Sequence, residues 1–249
     1  MLGTRREDAY TIIDAEAGVF LVRGAHVNWT ILTEGSAMTL VDAGYPRDAD
    51  AVLASLAEIT ARTGAGDLEA VLITHAHTDH IGGLERILAA VPNEPRVLCS
   101  AEERAHVRRE VVQQVTLQTA LRHAYDPRVL AWLVAAVRHG GLEEVGYADV
   151  EDFALDAPLD VPGRPVPIAT PGHTTGHSSF VLEHVGALIT GDALVTGHAT
   201  SRITGPQPLH DMFHADTVAS RSTFERLAAW PRPVRFLPGH GPLAASPSA

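Results

Sequence analysis

Three histidines and an aspartate fall within the six residues His75-Ala76-His77-Thr78-Asp79-His80, directly after the apolar run Leu68–Ile73 and before Ile81-Gly82-Gly83. The run reads as a buried strand and the residues after the histidines as a helix start. A fold that accepts this segment must end a strand and turn sharply at one place. Imidazoles at i and i+2 of an extended turn point the same way, and Asp79-His80 supplies a second set of donors close by. The segment is therefore able to hold one transition-metal ion, or two close together.

Three further segments repeat this placement. Thr170-Pro171-Gly172-His173-Thr174-Thr175-Gly176-His177 follows the strand-like Val166–Ala169, Thr190-Gly191-Asp192 follows Ala187–Ile189, and Leu237-Pro238-Gly239-His240-Gly241 follows Val234–Phe236. Each sets a metal-competent side chain just past a predicted strand, beside glycines that let backbones approach closely. Stacked sheets gather ligands from distant sequence onto one edge in this way. With Asp42, the HxHxDH segment, His173, Asp192 and His240 in that order, the chain resembles the metallo-β-lactamase superfamily along its whole length. The resemblance implies an α+β fold, a four-layer αββα sandwich. We expect one such domain over residues 1–249, with a helical segment at about 101–140 inserted between its two halves.

The resemblance also implies roles. His75, His77 and His173 would bind a first metal, Asp79, His80 and His240 a second, and Asp192 would bridge them. The implied cofactor is two divalent metal ions, zinc first, with iron or manganese as alternatives because nitrogen and carboxylate donors suit all three. Ions roughly 3.5–4 Å apart share a water and lower its pKa, giving a bridging hydroxide as nucleophile. Asp79 and Asp192 are the catalytic candidates, Asp79 to orient the hydroxide or shuttle its proton and Asp192 to carry a proton to the leaving group. Asp42, at a strand end before Gly44, resembles the family aspartate that orients a ligand histidine through its second nitrogen. A glutamate in place of His77 would point to the diiron flavoprotein branch, and a missing His80 or His240 to a single metal; every position holds the expected residue.

The implied reaction is hydrolysis of a small ester, thioester or lactone. The stretch after Asp192, Ala-Leu-Val-Thr-Gly-His, lacks the cysteine- and arginine-bearing run of the glyoxalase II branch, and Val195 stands where acyl-homoserine lactonases carry a tyrosine. β-Lactam hydrolysis and a mononuclear-iron persulfide dioxygenase remain alternatives, the latter distinguished by metal identity. A non-catalytic binding protein is opposed by the cost of burying unpaired histidines and carboxylates. His198, Arg202, His210 and His214, in the long loop expected after Asp192, are candidates for substrate contact. His177 is expected to be a structural hydrogen-bonder, and His26, His106, His123, His139 and His184 ordinary surface or interface histidines.

With 249 residues, 45% of them hydrophobic, the chain is large enough for one large core or two fused halves. A net charge of −11 with 19 basic residues disfavours a nucleic-acid partner and leaves a small molecule. The one cysteine, Cys99, lies in the apolar run Arg96–Ser100; it excludes an internal disulfide and reads as core. Arg5-Arg6 is followed by Glu7-Asp8 and no apolar run, and no stretch reaches membrane-spanning length, so a cytoplasmic protein with no membrane partner is expected. Strands are predicted at Tyr10–Asp14, Val19–Arg23, Thr30–Thr33 and Met38–Val41, then a helix over Arg47–Thr63 stopped by Gly64 and another near Gly83–Ala90. Helices are predicted over Glu102–Arg122 and Pro127–His139; family insertions of this kind overhang the active site, and these could also make a homodimer contact. Val150–Thr190 reads as strand-rich, Asp216–Trp230 as a helix capped by Asp216, and Ala244–Ala249 as a frayed tail.

Overall fold

The computed structural model describes residues 10–232 and 234–246. The first sheet begins as an antiparallel meander of β1 (Tyr10–Asp14), β2 (Val19–Gly24), β3 (Asn28–Glu34) and β4 (Ala37–Val41). It continues with β5 (Asp67–Leu72), β6 (Arg96–Cys99) and β7 (Glu151–Asp152), added in parallel. Parallel neighbours need a crossover. Those after β4 and β5 carry α1 (Ala49–Thr63) and the pair α2 (Thr78–Ile81) and α3 (Leu84–Ala90). The second sheet has the order β12-β11-β10-β9-β8, with β8 (Val166–Ala169), β9 (Ser178–Leu182), β10 (Ala187–Gly191), β11 (Arg235–Pro238) and β12 (Ala244–Ala245). Only β10 and β11 are parallel in it, joined through α7 (Thr217–Ala228).

The period of two along each strand decides the layering. In β2, Val19 and Leu21 face the core between the sheets, while Phe20 and Val22 face the core beneath α1. The inter-sheet core joins Leu21, Leu32 and Leu72 to Phe180, Ile189 and Leu237. On the outer face of the first sheet, Val52, Leu56 and Ile59 of α1 pack with Trp29, Leu40 and Val71. On the outer face of the second, Leu227 of α7 packs with Leu188 and Phe236. This is the αββα order. Cys99 is buried in the core under α1.

Local signals act as the sequence suggests at several ends. Gly64 stops α1 at φ +83°, its N–H donating to the Thr60 carbonyl. Asp216 opens α7 by accepting from the Val218 and Ala219 amides, a cap worth about 1 kcal/mol.

Three expectations need correction. Glu102–Arg122 is not one helix: α4 (Arg104–Val107) stops, Arg109 takes φ +59°, and helix resumes only at α5 (Leu117–His123). The break is tertiary in origin, because the Arg109 guanidinium turns inward onto the carbonyls of Ala76 and Val145. Such long-range bonds outweigh helix propensities of a few tenths of a kcal/mol per residue, roughly. The segment from Val150 opens with β7, which joins β6 of the first sheet, so the insertion lies within that sheet's connectivity and not between the halves. Ala244–Ala245 pairs with β11 instead of fraying, while Pro247–Ala249 and the Arg5-Arg6 segment lie outside the described residues. No helix among the described residues is long and apolar enough to cross a membrane.

Candidate metal centre

The ends of β4, β5, β8, β10 and β11 open onto one edge of the sandwich, and each is followed by sequence-predicted residues, four of them after β5 and one after each of the others. Asp42 follows β4 in the left-handed region, φ +64°. Its Oδ1 accepts from the Thr74 amide at 2.9 Å, and its Oδ2 accepts from the Thr74 hydroxyl and from His80 Nδ1, both at 2.8 Å. Because the Thr74 proton goes to Asp42, Thr74 Oγ1 accepts from His75 Nδ1 at 3.0 Å. One carboxylate thereby fixes two imidazoles, and both turn a bare Nε2 toward the centre.

The other three imidazoles are tethered as well. His77 Nε2 donates to the Gln113 carbonyl at 2.6 Å and turns Nδ1 inward. His240 Nδ1 donates to the His26 carbonyl at 2.7 Å, and His173 Nδ1 lies 3.3 Å from His214 Nδ1. His177 is a scaffold residue: it accepts from the Asp192 amide at 3.1 Å and bonds Thr170 Oγ1 at 2.8 Å. Gly239 must be glycine, since a Cβ there would overlap Asp192 Oδ1 and press on the His80 ring.

Asp192 sits in the middle, with Oδ2 3.4 Å from His173 Nε2, 3.3 Å from His240 Nε2 and 3.9 Å from His75 Nε2, and Oδ1 3.5 Å from His80 Nε2. Asp79 Oδ2 is 3.4 Å from His240 Nε2. The donors form three overlapping groups, His75/His77/His173, His75/His80/Asp192 and Asp79/His80/His240, with ligand atoms within 4.8 Å of one another in each. Among the described residues five buried side-chain N or O atoms lack a hydrogen-bond partner, and three of them are His75 Nε2, His80 Nε2 and Asp192 Oδ1. Orphaned buried polar atoms are rare and costly. Three at one point, all with metal-binding chemistry, are what a divalent-cation site requires.

The electrostatics divide the histidines into two sets. Burial drives His77 down to about 4 and holds His75 and His173 well below the ordinary value, so these imidazoles are neutral and ready to ligate. Burial also works against a charged His240, but Asp192 and Asp79 outweigh it and hold its pKa up to about 10. Without a cation, then, the aspartates draw protons onto the imidazoles beside them.

Glu103 was hidden in the sequence. Ser100-x-x-Glu103 has the spacing of a helix start, which predicts a solvated carboxylate. Instead Glu103 is 1% exposed and accepts from the Ala76 amide and His106 Nδ1, each at 2.8 Å, the Thr174 hydroxyl at 2.7 Å and the Gly176 amide at 3.2 Å. It thus ties the loop bearing His75 and His77 to the loop bearing His173. His106, expected at the surface, is buried; its Nε2 accepts from the Gln113 amide, whose residue's carbonyl holds His77. Tyr45 was also missed: it is buried in the cleft wall, near enough to the Asp79 carboxylate to feel its charge.

The centre forms the floor of a cleft enclosing about 610 Å³, open mouth included. About half of its lining comes from the segment Gln114–Leu142, which contains α5 and α6 (Pro127–Arg138), and this places the insertion over the centre. Of the four candidates for substrate contact, His198 lines the cleft and His214 touches His173. Arg202 and His210 are exposed and lie outside its lining; His210 caps a short 3-10 turn by accepting from the Met212 amide.

The same architecture recurs in known proteins. The chain is similar to "Beta-lactamase-like protein 2 homolog" of Caenorhabditis elegans, 28% identical over 239 residues, covering 95% of this chain and 62% of that relative. It therefore spans under two thirds of that relative's length. It is also 28% identical over 226 residues to "Probable metallo-hydrolase YflN" of Bacillus subtilis (strain 168), covering 84% of this chain and 77% of that protein. The solved structure of BLEG-1, a B3 metallo-beta-lactamase, superposes with a TM-score of 0.57 at 20% identity, over 88% of each chain. The profile of the metallo-beta-lactamase superfamily matches residues 22–240, from β2 to the last of the predicted ligands, His240. A match that begins in the first sheet, ends on the centre and takes in every loop that builds it makes this chain a member of the metallo-beta-lactamase superfamily.

Proposed function

We propose that the protein is a binuclear metal-dependent hydrolase of small esters, thioesters or lactones. The observation that carries this reading is the set of buried, unpartnered donors, His75 Nε2, His80 Nε2 and Asp192 Oδ1, of which Asp192 lines the floor of a cleft together with His77, Asp79, His173 and His240. Two divalent ions, zinc in the first instance, would be held by His75, His77 and His173 on one side and Asp79, His80 and His240 on the other, with Asp192 between them. Bound there, such ions would supply a water activated near neutral pH and positive charge for the oxygen that develops negative charge.

The chain's own residues do the rest. The Asp79 side chain is 17% exposed against 3% for Asp192, so Asp79 is the carboxylate that meets incoming water and takes up its proton. Tyr45 is held protonated by burial and then by the nearby carboxylates of Asp79 and Asp48, so it stands beside Asp79 as a neutral phenol. The proton that Asp79 takes from the water is returned to the leaving group as it departs, with Asp192, which shares the neighbour His240 Nε2 with Asp79, as its carrier, so both carboxylates end as they began. The cleft walls exclude bulk water around the reacting bond.

Elemental analysis of untagged protein purified without chelators tests the reading, together with a panel of esters, thioesters, lactones and β-lactams. The expected result is about two zinc ions per chain and turnover of at least one of the first three classes. One iron per chain with oxygen uptake on persulfides would replace hydrolysis by dioxygenation. No metal after soaking with zinc would overturn the proposal.

A further inference from the structure

Resting on the hydrolase reading above, we infer that the substrate carries an uncharged apolar arm lying beneath α5 and α6, and that its leaving group is not anionic. The cleft has two chemically distinct ends. Its floor is the histidine and aspartate cluster. Its roof is mostly hydrocarbon: Leu117 and Ala120 come from α5 and Trp132, Leu133, Ala136 and Val137 from α6, with Gln114 and Thr116 the polar side chains the same segment adds. Positions 132, 133, 136 and 137 share one face of α6, so a single helix supplies a continuous apolar stripe.

An aromatic wall joins the two ends. Trp132 meets Phe213 edge-on with ring centroids 4.9 Å apart, Phe213 meets His198 at 5.2 Å, and His198 meets His240 at 4.9 Å. A group attached to a carbonyl at the floor therefore passes directly onto hydrocarbon. The apolar surface also continues past the mouth. Leu117, Val137 and Leu142 all line the cleft yet are 44%, 42% and 60% exposed. Nine of the eleven exposed large hydrophobics among the described residues lie between Val111 and Leu142. Exposed hydrocarbon concentrated at the lips of a cleft marks the entry of an apolar ligand.

Charge excludes the other class of substrate. No arginine among the described residues lines the cleft, and the chain contains no lysine. The groove running on from Leu117 and Leu142 carries Glu85, Glu143 and Glu144 against Arg108 and Arg109. The Arg109 guanidinium is committed to the carbonyls of Ala76 and Val145 and to Thr78 Oγ1, and Arg108 Nε to the Ala148 carbonyl. Glu143 has Arg47 only at 3.9 Å. A carrier bearing carboxylates, such as glutathione, would meet more negative charge than positive along that path.

Two series test the inference. Binding of 2-hexanone, 2-octanone and 2-decanone to the zinc-loaded protein, followed by calorimetry, depends on no hydrolysis. The expected Kd falls about fourfold per added methylene. Turnover is compared between S-hexanoyl-N-acetylcysteamine and S-hexanoylglutathione, which share an acyl group and differ in leaving-group charge. The neutral thioester is expected to have the larger kcat/KM, by about tenfold. Val137→Arg and Leu142→Arg, both at exposed positions where the fold tolerates charge, are expected to flatten the ketone series, with melting temperature as the control. A Kd independent of chain length, an unchanged series in both variants, or a preference for the glutathione thioester would each overturn the inference. A steep ketone series with no turnover of any ester, thioester or lactone would leave the arm site standing and sink the hydrolase reading instead.

Discussion

The strand-end edge and the helical insertion face each other across the cleft and are built on opposite principles. At the edge, each of the five candidate ligand imidazoles has its second nitrogen tethered: His75 by Thr74, His77 by the Gln113 carbonyl, His80 by Asp42, His173 by His214 and His240 by the His26 carbonyl. Hydrogen bonds are directional, so this half is set by geometry and tolerates little change. The insertion offers hydrocarbon. Its inner face covers the cleft and much of its outer face is exposed, so shape and area govern it, and a methylene more or less is tolerable. On the proposed reading, the protein keeps its chemistry on a hydrogen-bonded polar frame and its selectivity on an apolar one. Glu103 ties the two together, standing at the foot of the insertion and bonding both loops of the edge.

The sharpest break in this contrast comes from Asp192→Ala, which removes the group at the centre of the edge. Its kcat/KM is expected to fall by a factor on the order of 10³, with reduced metal content by elemental analysis and little change in circular dichroism. Glu103→Gln comes next, because it leaves two amides and Thr174 with a weaker acceptor; a loss of about 2–4 kcal/mol in urea unfolding is expected. Its pH signature follows from the carboxylate's surroundings. Burial pushes the Glu103 carboxyl up, yet the bonds from His106, Thr174 and the Ala76 amide outweigh burial and leave it below the usual 4.5. A folded value below the unfolded one stabilises the protein above the unfolded pKa, and that gain is lost as pH falls through the folded value. Melting of the metal-free protein between pH 7 and pH 3, roughly the range that linkage predicts, should give a shallower acid limb in Glu103→Gln than in the wild type.

Asp42→Asn probes the tethers alone. It should weaken metal affinity by about 10- to 100-fold in competition with a chelator while the protein stays folded, because His80 loses its charged acceptor and His75 the group behind Thr74. The smallest effects belong to Arg202→Ala and His210→Ala, exposed and outside the cleft lining. Each should leave kcat/KM unchanged and stability within about 0.5 kcal/mol. A large loss of activity at either position would move the substrate path away from the insertion.

The residues whose chemistry depends on their type and on the end of a strand were legible one by one. His75, His77, Asp79, His80, His173, Asp192 and His240 stand where apolar runs stop, and the structure brings them together. Asp42 was equally legible, as a carboxylate ahead of a glycine turn. Glu103, His106 and Tyr45 were not, because the sequence around each offers a sufficient local explanation: a helix start, a surface histidine, a turn before Pro46. Arg202 and His210, polar residues in a loop of the right position, are exposed and stand outside the cleft lining.

By itself, then, the sequence determined the donor set, since the chemistry of a side chain and its place at the end of an apolar run are read locally, while the layers followed from the family resemblance. Only the tertiary structure decided which carboxylate was buried, where the predicted helix after Ser100 broke, and that the insertion turned its apolar stripe over the centre. Those outcomes rest on contacts between residues far apart in the chain, such as Glu103 with Gly176 and Arg109 with Val145, whose energies exceed the local preferences they override.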